Sequence, residues 1–134
     1  VRVHVREQAD DYKRLGVRFG VQWTPTILEL DSEGKERHRI EGFLSNRDFL
    51  DQLTLGLGHA AFEREDWAQA QHLFHEALER DPQGDAAPEA LYWEGVARYK
   101  ATKNSAALAE TARALAQRFA GAAWTKKASI WAPA

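Results

Sequence analysis

The 134 residues carry 18 Lys/Arg against 20 Asp/Glu, a formal net charge of −2, with 44% hydrophobic and 28% charged residues and no cysteine. That balance is ordinary for a globular chain of one domain or two small ones, and it excludes a disulfide framework, a thiolate metal site and a cysteine nucleophile within these residues. Residues 1–53 and 54–134 each hold nine Lys/Arg against ten Asp/Glu, so neither half has the basic excess of a nucleic-acid binder, and no apolar run approaches the roughly 20 residues of a membrane span.

In chain order, Val1-Arg2-Val3-His4-Val5-Arg6 alternates apolar and polar side chains, the period of a strand. Tyr12, Leu15 and Phe19 recur at helical spacing and predict a short helix over about Asp10–Phe19. Gly16 and Gly20 bracket its end, and Val17 and Val21 are expected to pack inward. Pro25 then opens the run Thr26-Ile27-Leu28-Glu29-Leu30. Lacking an N–H, a proline belongs at a strand's first residue or at an edge. Asp31-Ser32-Glu33-Gly34 reads as a tight turn, and Lys35 to Ile40 as the returning strand, closed by Gly42.

Ser45-Asn46-Arg47-Asp48 fits a capping box in which Ser45 caps and Asp48 reaches back. The apolar stripe Phe49, Leu50, Leu53 and Leu57 predicts a helix over about Asn46–Glu63 that ends one domain and begins the next. Gly56 and Gly58 weaken it by up to about 1 kcal/mol each, and a kink or break near Gly56–Gly58 is the alternative. Further helices are predicted over Trp67–Arg80 after an Asp66 cap, about Pro88–Ala101, about Ala106–Phe119 after Asn104 or Ser105, and Trp124–Trp131.

The run from Val1 to Leu55, with Thr24-Pro25-Thr26, an acidic-Gly turn, a second strand, Gly42 and an amphipathic helix in that order, resembles the C-terminal half of a thioredoxin-like domain. The resemblance implies that Thr24–Pro25 is a cis peptide beside a dithiol site, and that Thr24 offers its backbone to an extended substrate. It implies that the dithiol lies upstream of Val1, and that the parent protein serves cell redox homeostasis. It also implies a strand missing between Val1–Val5 and Thr26–Leu30, which leaves open edges that invite pairing with another chain.

From residue 54 onward the helical pairs resemble tetratricopeptide repeats. Leu57, Gly58, Ala70, Phe74, Ala77 and Pro82 match the repeat pattern in place, while Thr54 and Ala61 stand where Trp and Tyr are usual. A looser second unit carries Leu91, Gly95, Leu108, Ala112, Leu115 and Ala120. The expected architecture is therefore α/β thioredoxin-like (partial: β-α-β-β-α) over residues 1–55, followed by an all-α, tetratricopeptide-like unit over 56–134 with two repeats and a capping helix.

Catalytic candidates do not emerge. His72 and His75 share a helical face with Glu76 and Glu79, but no metal motif accompanies them and they read as a solvated face. His4, His38 and His59 have no carboxylate or nucleophile partner visible in the sequence. Neither metal nor cofactor is expected. The peptide-binding candidates are Trp23, Thr24 and Pro25, with Trp23 read either as a substrate-contacting aromatic or as a core residue. Trp67, Trp93, Trp124 and Trp131 are expected between helices. Two functions compete: a protein-interaction module whose helical pairs hold a protein or peptide client, and a thiol–disulfide oxidoreductase with an upstream C-x-x-C. No nucleic-acid or membrane partner is expected, a homodimer through unpaired strand edges is, and the Ala- and Arg-rich composition suggests bacterial cytoplasm.

Overall fold

In the computed structural model, which describes residues 2–132, the element order is α1 (Ala9–Phe19), β1 (Thr26–Leu30), β2 (Glu36–Glu41), α2 (Asn46–Glu63), α3 (Trp67–Arg80), α4 (Ala87–Thr102), α5 (Ala106–Arg118) and α6 (Ala123–Ala128), closed by a 3-10 turn over Ser129–Trp131. β1 and β2 form an antiparallel two-stranded sheet. The consecutive helix pairs α2–α3, α3–α4, α4–α5 and α5–α6 all pack against one another. Among the described residues no helix is long and apolar enough to cross a membrane.

The strand expected at Val1–Arg6 is absent: Val1 lies outside the described residues, and residues 2–7 form no ladder. An alternating segment becomes a strand only where a neighbour takes its backbone groups, and residues 2–7 pair with neither β1 nor β2. A turn stands in its place: the Gln8 N–H donates to His4 O, and the His4 N–H donates to Gln8 Oε1. That turn leads into α1, which sits loosely. Val17, expected inside, is 86% exposed, and α1 is tied to the sheet by Arg39, whose Nη2 donates to Phe19 O.

The hairpin turns as its residues dictate. The Gly34 N–H donates to Asp31 O with Gly34 at φ +77°, and Asp31 Oδ1 accepts from the Glu33 and Lys35 N–H groups. Pairing of Ile27 with Ile40 and Glu29 with His38 places those four side chains on one face of the sheet. That face meets α2: the pocket beside the hairpin joins Ile27 and Ile40 to Phe49, and His38 hydrogen-bonds Gln52. Arg37 adds a clamp, pairing with Asp31 at 2.7 Å and with Glu63 of α2 at 3.2 Å.

α2 is one unbroken helix through both glycines, capped by Ser45. The cap differs in detail from the expected box: Ser45 Oγ accepts from the Asp48 N–H and donates to Asp48 Oδ2 at 2.7 Å. The expected stripe needs correcting. Leu50 is exposed and Leu57 is 57% exposed, whereas Asp51, Thr54, Leu55, Gly58 and Ala61 are buried. Phe49 and Leu53 of that stripe are half-buried, but the fully enclosed side of α2 is the one that carries Asp51, which Arg80 reaches at 3.1 Å while also donating to Thr54 Oγ1 at 2.9 Å. The core lies among α2, α3 and α4 around Phe74, Leu55, Ala70 and Ala77, with a second cluster around Leu115 under α6.

Close helix approach explains the small residues. A Cβ on Gly58 would fall 2.6 Å from the Phe74 ring, and one on Gly95 would fall 2.0 Å from Thr111 Oγ1. The tryptophans at 67, 93, 124 and 131 all pack in aromatic contacts between elements, as with Phe62–Trp67 at 4.9 Å and Tyr92–Trp131 at 4.7 Å between ring centroids.

Candidate functional site at the open side of the hairpin

Trp23, Thr24 and Pro25 lie in the loop that enters β1, and all three are exposed, Trp23 by 70%. The Thr24–Pro25 peptide is cis. The loop is pinned at both ends: Thr26 Oγ1 donates to Trp23 O at 2.6 Å, and the Gly42 N–H donates to Pro25 O at 2.9 Å. Trp23 is thus a surface aromatic rather than a core residue.

Beside the loop opens an apolar pocket of about 200 Å³, lined mainly by Pro25, Ile27, Ile40, Phe43, Leu44 and Phe49. Phe43 is 88% exposed at its rim. The hairpin builds this pocket because Ile27 and Ile40 pair across the strands while Phe49 rises from the first turn of α2. β1 pairs only with β2, so among the described residues its other edge carries unpaired N–H and C=O groups. Leu50 and Leu57 are also exposed, on α2. The three expected residues therefore come together with an apolar cavity and a free strand edge, none of which supplies a nucleophile, an acid/base pair or a metal-binding group.

A polar seam under the hairpin escaped sequence reasoning. Glu29 points at α2 and lies against Gly56, where a Cβ would stand 1.2 Å from Glu29 Oε2. That oxygen is buried without a hydrogen-bond partner, and burial pushes the carboxyl up to about 7. Opposite it, His38 Nε2 donates to Gln52 Oε1 at 2.8 Å, and the His38 ring stacks on His59 at 5.8 Å. His59 Nε2 donates to Glu89 Oε1 of α4 at 3.1 Å, and its ring meets Phe74 and Trp93 edge-on. The reading of His38 and His59 as isolated is thus corrected. Their partners lie 14 and 30 residues away, where no local spacing could show them. The available signal was Glu29 itself, a carboxylate at an inward position of a strand.

On α3, His75 Nδ1 donates to Glu94 Oε1 at 3.2 Å, and Glu76 pairs with Arg80 instead of a histidine. Burial raises the Glu94 carboxyl above its ordinary value, and the neighbouring His75 opposes that rise. Among the described residues no group of three His, Asp or Glu side chains is placed to hold a metal ion.

With this geometry in view, a model of the thioredoxin-like domain family matches residues 2–56. No curated protein and no solved structure gives a match. The N-terminal part is a thioredoxin-like fragment, and the helices after it form a region consistent with repeat packing. One expectation drawn from the resemblance fails. Disulfide exchange requires a thiolate, and with no cysteine in the 134 residues a role in cell redox homeostasis does not hold for this chain.

Proposed function

We propose that the chain is a protein-interaction module that receives an extended polypeptide along the outer edge of β1. Trp23, Thr24 and Pro25 contact it, and the adjoining pocket takes an apolar side chain. The observation that carries this reading is the coincidence of a free strand edge with the pocket lined by Pro25, Ile27, Ile40 and Phe49. Main-chain hydrogen bonds to an open edge supply affinity whatever the sequence, and a pocket at alternate positions supplies selectivity. Residues 1–55 act as the receiving, thioredoxin-like unit and 56–134 as a tetratricopeptide-like support whose helical pairs hold the rest of the client. A bacterial cytoplasmic setting fits the Ala- and Arg-rich composition.

Amide exchange read by NMR tests the proposal with a panel of extended peptides that carry one large apolar residue. Binding should slow exchange at the β1 amides that face away from β2. Trp23→Ala and Ile27→Asp should weaken it about tenfold, the loss of roughly 1.4 kcal/mol. Perturbations confined to α3–α5, with β1 unchanged, would defeat the reading.

A further inference from the structure

The even charge of the C-terminal half conceals a division along the helical stack. Residues 54–97 hold nine Asp/Glu against Arg64 and Arg80, whereas residues 98–134 hold seven Lys/Arg against Glu110 alone. The acids cluster on α3 and its flanking turns, and the bases on the end of α4, α5 and α6. Lys103, Arg113, Arg118, Lys126 and Lys127 are exposed, and among the described residues none forms an ion pair. Glu65, Asp66, Glu79 and Asp85 are likewise exposed and unpaired.

These two sets do not neutralise each other within one chain. α4 stands between α3 and α5, and a helix diameter of about 10 Å already exceeds the screening length of about 8 Å at physiological salt. Two of the cations are also held in place at the surface. Lys127 lies 3.8 Å from the Trp124 ring centroid, and Arg118 lies 5.2 Å from that of Phe119. Side chains fixed this way lose less freedom when they meet a partner.

We infer that the α5–α6 end of one molecule docks on the α3 side of a second copy, a head-to-tail association driven by charge. A second copy is the favoured occupant because the chain itself supplies an acidic surface opposite in charge to the basic one: Arg37 and Arg47 pair with Glu63 and Asp81, and Glu65, Asp66, Glu79 and Asp85 are left for a partner. The two contacting surfaces differ, so the interface is heterologous and each new molecule leaves one acidic and one basic face open. This is separate from strand-edge pairing, which would join like surfaces and depend little on salt.

Sedimentation velocity of the full chain tests the inference in about 0.02 M and about 0.5 M salt, where the screening length falls from roughly 20 Å to below 5 Å. At low salt the weight-average mass should rise with concentration beyond twice the 15.1 kDa of one chain, and at high salt it should return to one chain. Arg113→Glu/Lys126→Glu and Glu79→Lys/Asp85→Lys, both at exposed positions, should each remain monomeric alone at low salt. Mixed together they should associate again, because the intact acidic face of the first meets the intact basic face of the second. A wild-type monomer at every salt and concentration would overturn the inference. So would self-association that ignores salt and both charge reversals, which would point to the β1 edge. Binding of DNA or anionic vesicles through the cations without self-association would overturn it too and assign the basic face to a different partner.

Discussion

Glu29→Gln keeps the shape of the side chain in the seam and removes its ability to ionise. In the unfolded chain the carboxyl titrates near its ordinary 4.5, and in the fold burial holds it at about 7. Between those values the folded molecule retains a proton that the unfolded chain has released. The stability linked to the protonated carboxyl is therefore whole below pH 4.5 and is lost as pH rises through about 7. A displacement of that size corresponds to about 3 kcal/mol for a fully enclosed group. Water reaching the rest of this half-buried side chain trims it to about 1–2 kcal/mol, or roughly 5 °C in melting temperature for a chain of this length. The other polar groups facing the seam are His38 from β2 and Gln52 and His59 from α2, with Glu89 of α4 behind His59. They are present in both proteins, so the difference between the two isolates Glu29. Melting curves at pH 5 and pH 8 should show the wild type losing about 1–2 kcal/mol more than Glu29→Gln across that interval. Gly56→Ala provides an independent check: its Cβ occupies the place of the Glu29 carboxyl, drives that group into water and should flatten the pH dependence in the same way. Parallel pH profiles for wild type and Glu29→Gln would refute the reasoning.

Other outcomes follow from the packing. Gly58→Ala should destabilise the chain by about 1–3 kcal/mol in chemical denaturation, because its Cβ would meet the fully buried Phe74 ring at 2.6 Å. Arg80→Leu strands Asp51, which is 2% exposed, and should cost about 3–5 kcal/mol; Asp51→Leu added to it should recover most of that loss. Calorimetry should show one transition, since α2 packs against both the hairpin and α3; two resolved transitions would show that the halves melt independently.

The sequence made the hairpin and the helices legible because their signals are local. Asp31–Gly34 holds its own turn, Ser45 and Asp66 cap the helices that follow them, and Gly58 and Gly95 mark close crossings. Long-range pairing was not legible. The alternation at Val1–Arg6 promised a strand, but a strand exists only with a neighbour. Arg80 turned the Asp51 side of α2 inward and left Leu57 outside, against the rule that leucines mark the buried face. Trp23 was correctly placed beside the cis Thr24–Pro25 peptide, yet its exposure depended on how the loop leaves the sheet. The Glu29–His38–His59 seam joins residues from two strands and a helix, so no single-element pattern could reveal it.

α2 has a bearing on how such a chain can be cut and rejoined. The thioredoxin-like match ends at residue 56, inside a helix that continues to Glu63. A joint made there would sever the backbone between Gly56, on which Glu29 rests, and Gly58, on which Phe74 rests. The first piece would lose His59 and Glu63, which meet His38 and Arg37 of the hairpin, and the second would lose Asp51 and Thr54, which hold Arg80. Gene fusions, inteins and protease sites are better placed at the Arg64–Glu65 turn after the helix, and any transplant of the helical stack onto another protein must carry all of α2 with it.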